Sequence, residues 1–231
     1  MIKAILFDFM GTCLDWHSSI LPALPSTLSH DAKSDSRSNG AKPTSTPTPR
    51  GSHPEIKPLF SEEVQEKAVA AWHHQKAWPD VAAALRKLKE DCGLEIYVHA
   101  NGTTRLQLDL VRSSGLKFDM LFSSELLGCY KPAPENYRRA LGLLKLRADE
   151  CVTVAAHTSD LRGAKAVGMK TVYVRRETDD VWEDQEVIRS ENDVYLEDMQ
   201  ELDKRPSAAI AALGGNNVPS LTHRCCVQLF P

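Results

Sequence analysis

Four short segments of the chain contain polar residues of types that carry out chemistry in enzymes. Asp8 is followed three residues later by Gly11, and a carboxylate at such a tight turn can serve as a nucleophile. Asp160 and the nearby His157 could each act as a general base, and a buried Lys131 would keep neighbouring carboxylates ionised. The segments are Asp8-Phe9-Met10-Gly11-Thr12, Asn101-Gly102, Lys131-Pro132 and His157-Thr158-Ser159-Asp160.

Each of these residues also has a purely structural interpretation. Asp8 could cap the turn that follows it, and Asp160 could be a first-turn charge on a helix dipole. Asn101 could be an N-cap residue rather than a donor to a substrate anion. Four successive strand ends with Asp, Asn, Lys and Asp nevertheless favour a reactive site over an ordinary surface.

The hydrophobic pattern predicts alternating strands and helices around these segments. Short apolar or β-branched runs predict buried strands at residues 2–7, 94–99, 120–122, 152–156 and 171–174. Helical patterns predict helices at residues 78–91, 104–114, 134–144 and 159–167. This alternation predicts an α/β fold with a parallel sheet covered on both faces, where ligands bind at the carboxyl ends of the strands.

A small cap is predicted to interrupt the core after the first strand. Residues 29–58 are rich in Ser, Thr, Gly, Lys and Pro, so we expect this tract to be largely disordered. An amphipathic helix is predicted beyond it, at residues 61–75. The predicted units are a core of residues 1–16 and 77–205, a reduced helical cap of residues 17–76 and a poorly ordered tail of residues 206–231.

The composition excludes several classes of partner. The 231 residues include 28 Lys and Arg against 31 Asp and Glu, a net charge of −3 without a sustained basic run, so we expect no nucleic-acid or membrane partner. No apolar stretch approaches the ~20 residues that cross a bilayer, and no signal-peptide pattern is present, so we expect a cytoplasmic protein. The six cysteines contain no C-x-x-C pair and are interpreted as free thiols, without a metal site.

Two further features are given structural interpretations. Trp72, His73, His74 and Trp78 are interpreted as core and surface residues where the cap joins the core, rather than as a metal or aromatic pocket. The acidic run at residues 177–186 is interpreted as a solvated loop or helix face.

The four motifs, in this order, resemble those of the haloacid dehalogenase superfamily. The resemblance covers roughly residues 1–175, apart from the low-complexity tract. Asp15-Trp16 and the segment 156–164 are most similar to the type II 2-haloacid dehalogenases and their fungal-type relatives. The resemblance implies a Rossmann-like three-layer α/β/α sandwich, a small-molecule substrate and no cofactor, and it is compatible with a homodimer.

The resemblance implies a metal-independent reaction in two steps. Asp8 would attack C2 of a 2-haloalkanoate in line, expel halide with inversion and form an aspartyl ester. Water would then hydrolyse the ester at the Asp8 carbonyl, with Asp160 as the activating base. Lys131 would stabilise the carboxylates.

The resemblance also assigns residues to the substrate surroundings. Thr12 and the backbone N–H groups near Met10 and Gly11 would orient Asp8 or its ester. His157 stands where members of the family typically have Asn, and it would take over that polar orienting role. The residues implied for these surroundings are Met10, Thr12, Asn101, Tyr137 and His157.

Two other functions stay open. Phosphatases of the superfamily have a second acid two residues after the nucleophile and an acidic pair at the fourth strand end that holds Mg²⁺. Met10 and Ala156 occupy these positions here, which disfavours a phosphatase. A catalytically impaired binding protein is the second alternative, because no arginine matches the halide-binding Arg of the family's cap, and Ala100 and Ala155 replace serines.

Overall fold

The computed structural model describes residues 1–25 and 59–204. Its strands are β1 (Ala4–Phe7), β2 (Leu14–Asp15), β3 (Lys76–Ala77), β4 (Glu95–Ala100), β5 (Met120–Ser123), β6 (Cys151–Ala155), β7 (Lys170–Val174) and β8 (Val194–Leu196). Six of them form one parallel sheet in the order β5-β4-β1-β6-β7-β8. The short strands β2 and β3 form a separate antiparallel pair.

Helices cover both faces of the parallel sheet. They are α1 (Trp16–Ile20), α2 (Glu62–Trp72), α3 (Val81–Glu90), α4 (Thr104–Ser114), α5 (Ser124–Leu127), α6 (Pro134–Leu144), α7 (Thr158–Ala166), α8 (Gln185–Glu191) and α9 (Gln200–Lys204), with 3₁₀ turns at Leu21–Ala23 and Ala148–Glu150. Apolar residues of α3 and α4 pack with Ile5 and Phe7, whereas residues of α6 and α7 pack with Leu6 on the opposite face. The predicted three-layer α/β/α sandwich is confirmed.

The central strand β1 explains why the functional segments meet. All four of its residues are buried, as expected for a parallel strand covered on both faces. β1 pairs with β4 on one side and with β6 on the other, so Phe7 lies beside both Val98 and Val154. The chain segments that follow these three strands therefore leave the sheet at the same edge.

Some predicted boundaries differ from the structure. The helix predicted at residues 78–91 begins only at Val81, and the Trp78 N–H before it donates to the Cys13 carbonyl at 3.0 Å. The helix predicted at 61–75 begins after Ser61, whose hydroxyl caps it, and ends at Trp72. β2 and β3 were not predicted, since two residues are too few to show a strand period.

The regular elements in the described part of the predicted cap are α1, the 3₁₀ turn after it and α2, which contact one another. The predicted tract 29–58 and the tail 206–231 lie outside the described residues, so the division into core and cap stays a prediction. None of the helices described here is long and apolar enough to cross a membrane.

Candidate active site

A cavity of about 550 Å³ lies at the edge of the sheet where β1, β4 and β6 end. Asp8 directly follows β1, and Asn101 directly follows β4. The turn from β6 into α7 supplies the residues of the fourth motif, and Lys131 reaches the same place from the loop before α6. The cavity is lined by Asp8, Met10, Trp16, Trp72, Asn101, Lys131, Pro132, His157, Ser159, Asp160 and Asp179.

The two carboxylate oxygens of Asp8 face different groups of side chains. Oδ1 accepts a hydrogen bond from one group and Oδ2 from the other. We call the first group the buried side, which consists of Lys131, Asp160 and Tyr137. We call the second group the open side, which consists of Thr12, His157 and Asp179.

Lys131 is the centre of the buried side. Its Nζ donates to Asp8 Oδ1 at 2.9 Å, to the His99 carbonyl at 2.7 Å and to Asp160 Oδ2. Its side chain is only 5% exposed, and these three partners use all three protons of the ammonium group. Burial lowers the pKa of Lys131, but the charges of Asp160 and Asp8 outweigh burial and raise it above its usual value. Lys131 therefore stays charged and has no proton left for a substrate.

Tyr137 fixes the position of Asp160. Its hydroxyl donates to Asp160 Oδ1 at 2.6 Å, and it is completely buried behind that carboxylate. Gly163 permits this packing, because a Cβ there would lie 2.7 Å from the Tyr137 hydroxyl oxygen. The structure thus places Tyr137 behind the cavity wall, not among the residues around a substrate where the resemblance had put it.

Asn101 is tied to the backbone of Lys131. Its Nδ2 donates to the Lys131 carbonyl at 3.0 Å, and its Oδ1 accepts from the Lys131 N–H at 2.8 Å. Asn101 also lines the cavity, so the second proton of its amide is still available to a bound anion. The side chain thus holds the lysine loop in place in addition to the substrate contact that its motif predicts.

Thr12 and His157 form the part of the open side that touches Asp8. The Thr12 hydroxyl donates to Asp8 Oδ2 at 2.8 Å, and its oxygen accepts from the Ala156 N–H at 2.8 Å. His157 Nδ1 lies 2.9 Å from the same Asp8 oxygen, and its Nε2 lies 3.1 Å from Asp179 Oδ1. Since both ring nitrogens face carboxylate oxygens, the doubly protonated imidazolium is the form that satisfies both contacts.

The charges on the two sides set the protonation of Asp8 and its neighbours. Burial raises the pKa of Asp8, but the charge of Lys131 and the hydrogen bond from His157 outweigh burial and hold it well below its usual range. Burial lowers the pKa of His157, but its hydrogen bonds to Asp179 and Asp8 raise it well above its ordinary value. Burial raises the pKa of Asp160, even though Lys131 opposes the change. An ionised nucleophile thus lies near a more basic carboxylate.

Asp179 was missed by the sequence interpretation. It belongs to the acidic run predicted to be a solvated surface, yet its side chain is only 8% exposed and faces the cavity. The carboxylate accepts from Thr178 Oγ1 at 2.7 Å and from Trp16 Nε1 at 3.4 Å. One signal could have revealed it: Asp179 follows the end of β7, at the same sheet edge as the other motifs.

Gly11 makes room for Asp179. Its φ is +80°, and a Cβ added there would lie 2.6 Å from Asp179 Oδ1. Its N–H donates to the Leu14 carbonyl at 3.1 Å, inside the turn. That the backbone N–H groups near Met10 and Gly11 orient Asp8 or its ester stays a prediction. The glycine of the first motif therefore allows both the left-handed turn and the close approach of the Asp179 carboxylate.

Two features outside the motifs complete the surroundings. Trp16 and Trp72 both line the cavity with ring centroids 6.4 Å apart, so Trp72 is more than a residue of the cap junction. Arg176 is buried beneath the Asp8 loop, where its Nε donates to the Thr12 carbonyl at 3.1 Å and its Nη1 to Asp80 at 2.8 Å. Arg176 supports the loop from behind and does not line the cavity.

The site fits a divalent metal poorly. Both oxygens of Asp8 already accept hydrogen bonds, including one each from Lys131 and His157. A cation would have to displace these positive groups, and Met10 and Ala156 offer no further side-chain oxygen. Within residues 1–25 and 59–204, no three His, Cys, Asp or Glu side chains are grouped to hold a metal ion.

The family model of the haloacid dehalogenase-like hydrolases matches residues 2–168 of this chain. The chain therefore belongs to the haloacid dehalogenase-like hydrolases. The family and enzyme class indicated by the four motifs are thus confirmed.

Known relatives include both dehalogenases and phosphatases. (S)-2-haloacid dehalogenase 1 of Pseudomonas sp. (strain CBS-3) is 25% identical over 194 residues, which are 76% of this chain and 85% of that protein. The crystal structure of the L-2-haloacid dehalogenase PA0810 is 29% identical with a TM-score of 0.69, over 90% of this chain and 100% of that one. Ribulose-1,5-bisphosphate 5-phosphatase of Halopiger xanaduensis is 37% identical over 97 residues, 41% of this chain and 40% of that protein. Of these three, the two that extend over most of this chain are dehalogenases.

Proposed function

We propose that this hydrolase displaces halide from small 2-haloalkanoic acids through an aspartyl ester on Asp8. The observation that carries the proposal is the Asp8 carboxylate, held in place by the Lys131 ammonium on one oxygen and by Thr12 and His157 on the other. In the first step an Asp8 oxygen attacks C2 in line, and the carbon–halogen bond breaks with its electron pair on the halide. The extensive similarity to 2-haloacid dehalogenases supports this choice.

Water completes the reaction at the carbonyl carbon of the ester. Asp160 lines the cavity, and burial gives it a raised pKa, which suits a base that takes a proton from the attacking water. Both Asp160 oxygens already accept hydrogen bonds, from Lys131 and Tyr137, which fix the direction of the carboxylate. The products are the 2-hydroxy acid, the free Asp8 carboxylate and one proton.

The substrate carboxylate would be bound by neutral donors. The positive groups of the described cavity, Lys131 and His157, are each already paired with two carboxylates. We assign the remaining amide proton of Asn101 and the hydroxyl of Ser159 as donors to the substrate carboxylate or to the halide. The indoles of Trp16 and Trp72 would cover the short alkyl chain and exclude water.

Halide release tests the proposal. Each enantiomer of 2-bromopropionate is incubated without added metal with the wild type, with Asp8→Asn and with the control Glu183→Gln. Glu183 is a carboxylate in the loop after β7 that pairs with Arg162, away from the cavity. We expect the wild type and the control to release bromide from one enantiomer. Asp8→Asn should release none, because a neutral amide cannot replace the nucleophile.

Two outcomes would redirect the assignment. Mg²⁺-dependent release of phosphate from a generic ester, without bromide release, would favour the phosphatase. A folded wild type with neither activity would favour a binding protein. The homodimer and the cytoplasmic location also stay proposals, and sedimentation of the purified full chain would test the first of them.

A further inference from the structure

His157 lies between two carboxylates, and the proposed reaction removes the charge of one of them. Asp8 Oδ2 already accepts two hydrogen bonds, from Thr12 and His157, whereas Oδ1 accepts one, from Lys131. A carboxylate oxygen has about two lone-pair directions, so Oδ1 is the oxygen with one left for attack on carbon. Oδ2 then becomes the carbonyl oxygen of the ester and keeps its two donors.

Ester formation changes the electrostatics of His157. Before the reaction, the imidazolium interacts with Asp8 on Nδ1 and with Asp179 on Nε2. Once Asp8 is esterified, its charge is gone, and Asp179 is the carboxylate still bonded to the ring. The side chain of His157 is 35% exposed, so its proton could otherwise pass to water at this stage.

We propose that Asp179 is a positioning residue that keeps His157 protonated while the ester exists, so that His157 and Thr12 together bind the oxyanion formed during ester hydrolysis. This inference rests on the proposed function. In the second step, the donors of the open side would stabilise the developing negative charge, as preorganised donors do in other acyl transfers.

The second step takes place at the Cγ–Oδ1 bond of the Asp8 ester. The water oxygen attacks Cγ of Asp8, and the carbonyl electron pair moves onto Oδ2, where His157 Nδ1–H and the Thr12 hydroxyl donate to it. The pair then returns, the Cγ–Oδ1 bond breaks, and Oδ1 leaves as the hydroxyl oxygen of the product. Asp160 passes the first water proton to that oxygen, and the second leaves the new Asp8 carboxyl for solvent. His157 keeps its own proton throughout.

The surroundings hold Asp179 in place for this role. Thr178 and Trp16 donate to its two oxygens, and Gly11 leaves just enough room for the carboxylate. The neighbouring Asp180 accepts instead from the backbone N–H of Thr158 at the start of α7. The charged groups around the His157 ring are Asp8 after β1, Asp179 and Asp180 after β7, Asp160 on α7, and Lys131 on the far side of Asp8.

Transient kinetics of Asp179→Asn test the inference. We expect a burst of about one bromide per site followed by turnover roughly 10- to 100-fold slower than in the wild type. Without Asp179, the His157 ring loses its proton more readily, and loss of this charged donor to the oxyanion slows hydrolysis. The ester should accumulate and be visible by intact mass after acid quenching. The alkaline limb of hydrolysis should move to lower pH, since the imidazolium loses the partner that holds its proton.

Two companion variants sharpen the result. Glu183→Gln neutralises a carboxylate of the same loop and should show neither burst nor shifted limb. His157→Gln keeps a neutral donor, so its slowed hydrolysis should lack the alkaline limb of the histidine. An NMR titration of the His157 ring without substrate gives a readout independent of turnover, and its midpoint should fall in Asp179→Asn.

The outcomes separate this inference from the proposed function. A wild type that releases no bromide overturns both. If the wild type releases bromide, the inference alone is overturned by an Asp179→Asn protein in which both steps slow equally. In that case neither the alkaline limb of hydrolysis nor the His157 ring titration would move. Burst, accumulated ester and a shifted limb together support it.

Discussion

The buried side and the open side hold the same carboxylate in different ways. On the buried side, Lys131 is 5% exposed and donates all its protons to fixed partners. On the open side, His157 is 35% exposed and bridges Asp8 to a carboxylate from a loop. The two sides therefore supply positive charge of different kinds, one from an ammonium that stays protonated and one from an imidazolium that can titrate.

This difference suits a reaction with two unlike steps. Attack on carbon needs an ionised nucleophile, and the positive charge of Lys131 helps to keep the Asp8 carboxylate ionised by lowering its pKa. Ester hydrolysis needs a donor for a new oxyanion, which the ring of His157 can provide at Oδ2. Substitutions of Lys131 and of Asp179 should consequently impair different steps.

Lys131→Met should have the largest effect, and it breaks the buried side. It leaves Asp8 and Asp160 buried beside each other without their shared cation. We expect the free energy of unfolding to fall by about 3–5 kcal/mol and bromide release to be lost. Chemical denaturation and halide assays measure both.

The matched control for Lys131→Met is Lys67→Met. Lys67 is 63% exposed and pairs with Glu63 on the surface of α2, so its loss should cost less than about 0.5 kcal/mol. Equal stability losses in the two variants would contradict the assignment of a structural charge to Lys131.

Gly11→Ala should have the next largest effect, and it disturbs the open side. The added Cβ would meet Asp179 Oδ1 in a left-handed turn, so we expect a loss of about 2–3 kcal/mol and a weaker form of the Asp179→Asn burst. Gly93→Ala is the control, because Gly93 also has a positive φ, +63°, but nothing lies within 4 Å of its Cβ position. A burst in the Gly93 variant, or none in the Gly11 variant, would argue against crowding of Asp179.

Tyr137→Phe should have the smallest effect of the three and again tests the buried side. It removes the donor to Asp160 Oδ1, at a cost of about 1–2 kcal/mol. Because that hydrogen bond lowers the pKa of Asp160, its loss raises the pKa further, so the acid limb of ester hydrolysis should move to higher pH. Tyr195→Phe, which removes a hydroxyl bonded to Gln185 far from the cavity, should leave the pH profile of halide release unchanged.

The two sides also differ in how far the sequence could predict them. The meeting of Asp8 with the turn from β6 into α7 follows from parallel strands that end at one edge. Lys131 instead reaches Asp8 and Asp160 from the loop between α5 and α6, and not from a strand end as the sequence suggested. The role of Tyr137 depends on which face of α6 meets Asp160, and spacing alone does not define that face. Asp179 lies five residues beyond β7 in an acidic loop, where local composition resembles any solvated surface.

The most direct test of the account is to identify the covalent intermediate on Asp8. Asp179→Asn is mixed with 2-bromopropionate, quenched in acid within the burst, digested and analysed by tandem mass spectrometry. We expect the peptide containing Asp8 to gain the mass of the substrate minus its halide, with the addition located on Asp8. A bromide burst from Asp179→Asn together with an unmodified Asp8 peptide, or an adduct on another residue, would contradict the aspartyl-ester mechanism.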